Sequence, residues 1–248
     1  AVKGWLSHHH FFALMMAMSY VLLSLSLWLA MSRRMYSGAA RLLCAMLVCL
    51  AAFNGPFLGS MGFAHFEVLI PSLILLVLVL YARGHYRLAV VTFVLLLSVR
   101  EDAGFHAALL FGLLTVLYGL QHRRVPMGLA VFAISAFGYS VLAIVMQKVF
   151  FNPEVTLHNL YASNAFERVY SGDPFYAHLS VDFLWQRVAF FVVHRAYLWV
   201  PMLVSIVVAI RMRNITLVAG TLLVIPWTLL SLTAVSGMPN HLANYYAF

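Results

Sequence analysis

Residues 88–106 read Leu88-Ala89-Val90-Val91-Thr92-Phe93-Val94-Leu95-Leu96-Leu97-Ser98-Val99-Arg100-Glu101-Asp102-Ala103-Gly104-Phe105-His106. As a helix, the apolar run up to Val99 extends only about 18 Å at ~1.5 Å per residue, against a hydrocarbon core of about 30 Å. A charged triplet interrupts it, and a second apolar run begins at Ala103. Arg100, Glu101 and Asp102 are therefore expected below the outer surface of a bilayer, at a break between two helices. Ionisable groups at that depth cost about 2.5–3.5 kcal/mol each on insertion scales, so they are usually paired or line a functional cavity. One arginine neutralises one of two adjacent acids. The other carboxylate needs a metal, a substrate, a proton or another cation.

The rest of the chain supports a membrane reading. Hydrophobic residues make up 64% and charged residues 9% of the 248 residues, and the mean hydropathy is +0.95. Soluble domains have about 45–50% and about 25%. The apolar residues fall into eight segments, at about 11–31, 39–58, 66–82, 88–99, 103–120, 126–150, 188–210 and 215–236. These runs are too long and too uniformly apolar for alternating barrel strands. The expected fold is all-α, a polytopic transmembrane helical bundle of about seven to eight membrane segments. Residues 1–248 read as one transmembrane domain with an extracytoplasmic loop at about 151–187, and the start at Ala1 reads as a piece of a longer chain. Cys44 and Cys49 share one apolar run and read as small buried hydrophobes.

The charge pattern sets an expected topology. Alternate connections carry Arg33, Arg34 and Arg41, then Arg83 and Arg87, then Arg123 and Arg124, then Arg211 and Arg213, with no acid among them. Short cytoplasmic loops are enriched in Lys and Arg, so these are assigned to the cytoplasm of a cell inner membrane. All seven carboxylates and most of the histidines then fall on the periplasmic side. The net charge of +8 is thus a topology signal and not a nucleic-acid one.

A second polar cluster approaches from the acidic side. The turn Phe53-Asn54-Gly55-Pro56 through His65-Phe66-Glu67 joins two apolar runs. His65 and Glu67, with Glu101, Asp102 and His106, could supply oxygen ligands to a hard cation or a general base. The spacing matches no diagnostic metal motif. A structural network is the alternative, with Glu101 or Asp102 paired to Arg100 or Arg195. In the long connection, Asp173-Pro174 has the form of a helix start. Tyr161, Phe166, Tyr170, Phe175, Tyr176 and Trp185 there suit short helices lying along the membrane interface, either roofing a cavity or forming an aromatic belt.

Several motifs carry a resemblance. They are Gly62-Phe63-Ala64-His65-Phe66-Glu67-Val68-Leu69-Ile70-Pro71, then Val99-Arg100-Glu101-Asp102, Tyr176-Ala177-His178, Ile225-Pro226, and Asn240-His241-Leu242-Ala243-Asn244-Tyr245-Tyr246. In order and spacing the chain resembles the bacterial membrane proteins of domain-of-unknown-function family 2079, which show an F-H-P-E-like turn, a K-E-D-like break and a terminal H-Y-like motif. Phe66 stands where that family often has Pro, and Arg100 where it often has Lys.

Such proteins are similar to the GT-C glycosyltransferases, which take a sugar from a polyprenyl-phosphate carrier at the outer face of the membrane. The resemblance implies that Glu101 and Asp102 are catalytic, orienting the acceptor hydroxyl or holding a divalent magnesium or manganese ion with His106. It implies substrate contacts from Arg100, His65, Glu67, Arg195 and His241, and membrane lipid and the lipid-linked sugar donor as partners. In those enzymes an acidic residue of the first extracytoplasmic loop acts on the acceptor, and that loop is expected upstream of Ala1. Two other readings stay open. One is a secondary transporter whose acid pair couples protons or a cation, and the other is a scaffold subunit.

Overall fold

The computed structural model describes residues 8–32, 38–39, 42, 45–46, 69–101, 103–151, 179–194 and 196–233. Among these residues every regular element is a helix. In chain order the helices are α1 (His8–Ser32), α2 (Leu69–Ala82), α3 (Tyr86–Leu97), α4 (Ala103–His122), α5 (Met127–Met146), α6 (Val181–His194), α7 (Ala196–Met212) and α8 (Ile215–Thr233). A π-helical turn over Gln147–Phe151 extends α5. Three of them, α1 over Ala13–Met31, α4 and α5, are long and apolar enough to cross a membrane. The bent pair α6 and α7 makes a fourth if it is one span. These apolar helices fit a membrane protein. Of the apolar run expected at 39–58, all but four residues lie outside the described residues.

Two compact units divide the chain. The first holds α1 to α3, α4 up to Ala107, and Ala136–Ser140 of α5. At its centre is α2, whose 14 residues are apolar on every side except Ser72, and nine of them are buried. A helix apolar all round belongs in a core. Pro71 sits in its first turn, where the missing N–H has no intrahelical partner to lose. Against α2 lies α1, and the contact is made by small polar residues. Ser19 and Ser72 are both fully buried, their hydroxyls are 3.0 Å apart, and Ser72 Oγ donates to the Ser19 carbonyl at 3.1 Å. One end further on, the Arg83 guanidinium donates to the Leu29 carbonyl in the last turn of α1, where helix carbonyls lack partners. Pairing 19 with 72 and 29 with 83 means that α1 and α2 run in the same direction.

A tight reversal returns the chain into α3. Gly84 adopts φ +80°, Gly84 N–H bonds the Tyr81 carbonyl, and His85 N–H bonds the Leu80 carbonyl. This is the Schellman pattern, which needs a left-handed residue just past the helix. Ala89, Thr92, Phe93, Leu96 and Leu97 of α3 face inward. On the opposite face Leu88, Val91 and Val94 are each more than half exposed, as residues against lipid hydrocarbon would be.

The first unit closes at α4. Gly104 sits so near α5 that a Cβ there would fall 2.5 Å from Ser140 Oγ and closer still to the Ala136 carbonyl oxygen. Small residues spaced four apart, here Ala136 and Ser140, permit such a close crossing in membrane helices. Phe105 packs edge-on to Phe137, with ring centroids 5.7 Å apart.

In the second unit α4 and α5 continue, with Phe111 and Phe132 5.5 Å apart. Their connection places Arg123 at φ +52°. The helices α7 and α8 form a hairpin, joined only by Arg213 and Asn214. Arg213 takes φ +50°, Asn214 N–H reaches back to the Ala209 carbonyl, and Arg213 N–H to that of Ile210. Asn214 also caps α8, its Oδ1 accepting from Thr216 N–H at 3.0 Å and Leu217 N–H at 3.2 Å.

The apolar run at 188–210 is shared between two helices: α6 begins at Val181, with the Phe183 N–H donating to Ser180 Oγ, and Val181–His194 and Trp199–Met212 stand at 80° to each other. Pro201, inside α7, has no N–H for the carbonyl four residues back, which weakens a continuous helix through this point.

Two substitutions test this packing. Gly104→Ala forces the α4–α5 crossing apart and should lower stability by about 1–3 kcal/mol, whereas Ser72→Ala removes the two hydrogen bonds of Ser72 Oγ to Ser19, worth about 0.6 kcal/mol each. Equilibrium unfolding in mixed micelles reads both, and Gly104→Ala is expected to have the larger effect.

Candidate functional site

The break between α3 and α4 is a set of tight turns. Ser98 Oγ donates to the Leu95 carbonyl at 2.7 Å, and Val99 N–H bonds the Leu96 carbonyl at 3.2 Å. These bonds satisfy carbonyls that a helix leaves open at its C-terminus. Ala103 N–H then bonds the Arg100 carbonyl at 3.1 Å, folding residues 100–103 into a turn that starts α4. The expectation of a short α3 ending at a charged break holds, with α3 covering 12 residues.

Arg100 and Glu101 lie in that turn, with Arg100 Nε 3.9 Å from Glu101 Oε1 and both side chains 39% exposed. The contact is long and open on one side, so a group arriving from outside can reach either partner. Glu101 also precedes the N-terminus of α4, where the helix dipole favours negative charge. His106 is half-buried in the first turn of α4.

Beside the break runs an apolar cleft of about 490 Å³ between α1, α2 and α3. Leu69, Leu73 and Leu76 of α2 and Leu95 of α3 line it, and its wall includes Ser98 and Val99, the two residues before Arg100. Because Leu69 and Val99 line the same cleft, the charged turn sits level with the start of α2. The pairing of Ser19 with Ser72 puts Leu69 opposite about residue 16 of α1. The apolar stretch of α1 starts at Ala13, so the turn lies roughly three residues, or about 4–5 Å, inside that edge.

The other expected site residues are distributed as follows. Asp102, His65, Glu67, Arg195 and His241 lie outside the residues whose side chains the structure describes. Asp173 and Pro174 and the aromatic residues from Tyr161 to Tyr176 lie outside them too. Among the described residues no group of three His, Cys, Asp or Glu side chains could hold a metal ion. Glu101 and His106 are the described members of the proposed ligand set.

Sequence reasoning overlooked the cleft and the Gly104 crossing. The four-residue spacing of Ala136 and Ser140, facing a glycine two residues after Asp102, was the available signal for the crossing. No protein-family model, curated protein or solved structure matches this chain.

An ion pair this exposed contributes little to stability, about 0.2–1 kcal/mol by comparison with other exposed pairs. A double-mutant cycle with Arg100→Gln and Glu101→Gln should therefore return a coupling below about 1 kcal/mol. A larger coupling would mean that the pair serves the fold.

Proposed function

We propose that this chain is a GT-C-like glycosyltransferase of the bacterial inner membrane, acting on a polyprenyl-phosphate-linked sugar at the outer face. The observation that carries this reading is the apolar cleft whose wall includes Ser98 and Val99, the two residues that precede Arg100 and Glu101 in the chain. An isoprenoid phosphate has an apolar tail and an anionic head, which apolar walls and a guanidinium would suit. The motifs at Gly62–Pro71 and Val99–Asp102 support the same class.

In this mechanism Arg100 binds the carrier phosphate by charge-assisted hydrogen bonds. Glu101 or Asp102 accepts the proton of the acceptor hydroxyl as its oxygen attacks the anomeric carbon. The bond from that carbon to the phosphate oxygen breaks, and polyprenyl phosphate leaves with its negative charge held by Arg100. His65, Glu67 and His106 are supporting groups. The proposed topology has seven or eight membrane segments, with the turns bearing Arg83, Arg123 and Arg213 in the cytoplasm. A magnesium or manganese ion would require Asp102 and the His65–Glu67 turn in addition to Glu101 and His106.

A discontinuous helix carrying an ion pair also occurs in secondary transporters, so the α3–α4 break favours transport as a second reading. The two separate in proteoliposomes. A transferase consumes polyprenyl-phosphate sugar, while a transporter moves solute across a sealed bilayer. Replacing Glu101 and Asp102 together by Ala should reduce transfer by about 10²–10⁴-fold, the usual contribution of a general base, with expression and monodispersity unchanged. Transfer at the original rate in that variant would remove both carboxylates from the mechanism.

A further inference from the structure

We infer that α6 is an interfacial helix, lying along the surface of the bilayer with its apolar face among the lipid headgroups and upper acyl chains. The inference rests on the membrane reading of the chain and not on its being a transferase.

Four observations converge. First, none of the 14 residues of α6 is buried, and at about 21 Å the helix is too short to cross a core of about 30 Å. Second, its polarity is one-sided. At 100° per residue, Val181, Leu184, Trp185, Val188, Phe191 and Val192 fall within about 120° of arc, and all four polar residues, Asp182, Gln186, Arg187 and His194, lie on the other side, which they share with Phe183, Phe190 and Val193. Trp185 is 70% exposed on the apolar arc, and tryptophan favours the headgroup level. Third, α6 and α7 meet at 80°. Up to Arg211 the 17-residue α7 is apolar apart from Ser205, whose hydroxyl accepts from Thr221 of α8 across the hairpin. If α7 stands across the bilayer, a helix at 80° to it lies nearly in the plane. Fourth, the elbow is held in place, because Trp199 Nε1 of α7 donates to the Val192 carbonyl of α6 at 3.0 Å.

The polar side indicates which feature of the lipid is recognised. Asp182 offsets Arg187, and the Arg187 guanidinium lies 5.0 Å over the Phe183 ring. His194 stacks near Phe190 at 5.0 Å. With no surplus of cations among these residues, α6 is held by its apolar area and not by anionic headgroups. The elbow lies at the end of α7 remote from Arg211 and Arg213, so on the proposed topology α6 rests in the outer leaflet.

Depth measurements test the inference on the full chain in phosphatidylcholine nanodiscs, with Cys44 and Cys49 replaced by Ser. Single spin labels are placed at Val181, Trp185, Val188 and Val192 on the apolar side and at Asp182, Gln186 and Val193 on the other. Ile134 of α5 and Val204 of α7, both exposed, serve as depth references. The expected result is one shallow depth of about 5–10 Å for the four apolar-side labels, aqueous exposure for the others, and no change when phosphatidylglycerol is added. A depth that grows steadily from Val181 to Val193 would make α6 half of a crossing and overturn the inference. Water exposure at all seven α6 positions would overturn it as well. If Ile134 and Val204 were also in water, the membrane reading itself would fail, which is a separate result. As a check free of labels, brominated lipid should quench the native chain more than the Trp185→Phe variant; equal quenching counts against the inference.

Discussion

The buried contact between Ser19 and Ser72 fixes the register from which the first unit can be measured. Its energy is small, about 0.6 kcal/mol for a typical hydrogen bond between membrane helices. Its effect is geometric. Two small residues let α1 and α2 approach closely and in parallel, which brings Arg83 onto the last turn of α1 and sets Leu69 just inside its apolar edge. The lengths of α2 and α3 then determine the depth at which the chain breaks. Lengthening α3 by one turn would move Arg100 and Glu101 about 5 Å outward, beyond the apolar stretch of α1.

Magnitudes separate the structural from the functional account of that break. A pair as long and exposed as Arg100–Glu101 contributes about 1 kcal/mol or less to stability. The fold therefore gains little from that ion pair. Gly104 fits that view, because it anchors the chain just past the break against Ala136 and Ser140 while leaving the charged turn itself open.

Features that depend on length and charge were legible in the sequence. The shortness of α3, its end just before the charged triplet, and the restart at Ala103 follow from the spacing of apolar and charged residues. The arginine-bearing turns after α2, α4 and α7 were legible for the same reason. The angle between α6 and α7 was hidden, because two polar residues between apolar runs barely lower the hydropathy and carry no direction. Pro201 and the one-sided pattern of α6 were the remaining signals. The cleft was not legible at all. Leu69, Leu73 and Leu76 have the same chemistry whether they face a neighbour or a void, and only the backbone path distinguishes these. Of the site, Arg100 and Glu101 were found from the charge triplet, and the apolar wall beside them emerged only from the fold.

The two-residue connection between α7 and α8 leaves neither helix free to end on its own. Arg213 and Asn214 are committed to both helices at once, closing the end of α7 and capping the start of α8. So short a link has no slack: a residue inserted or removed there disturbs the end of one helix and the start of the next together.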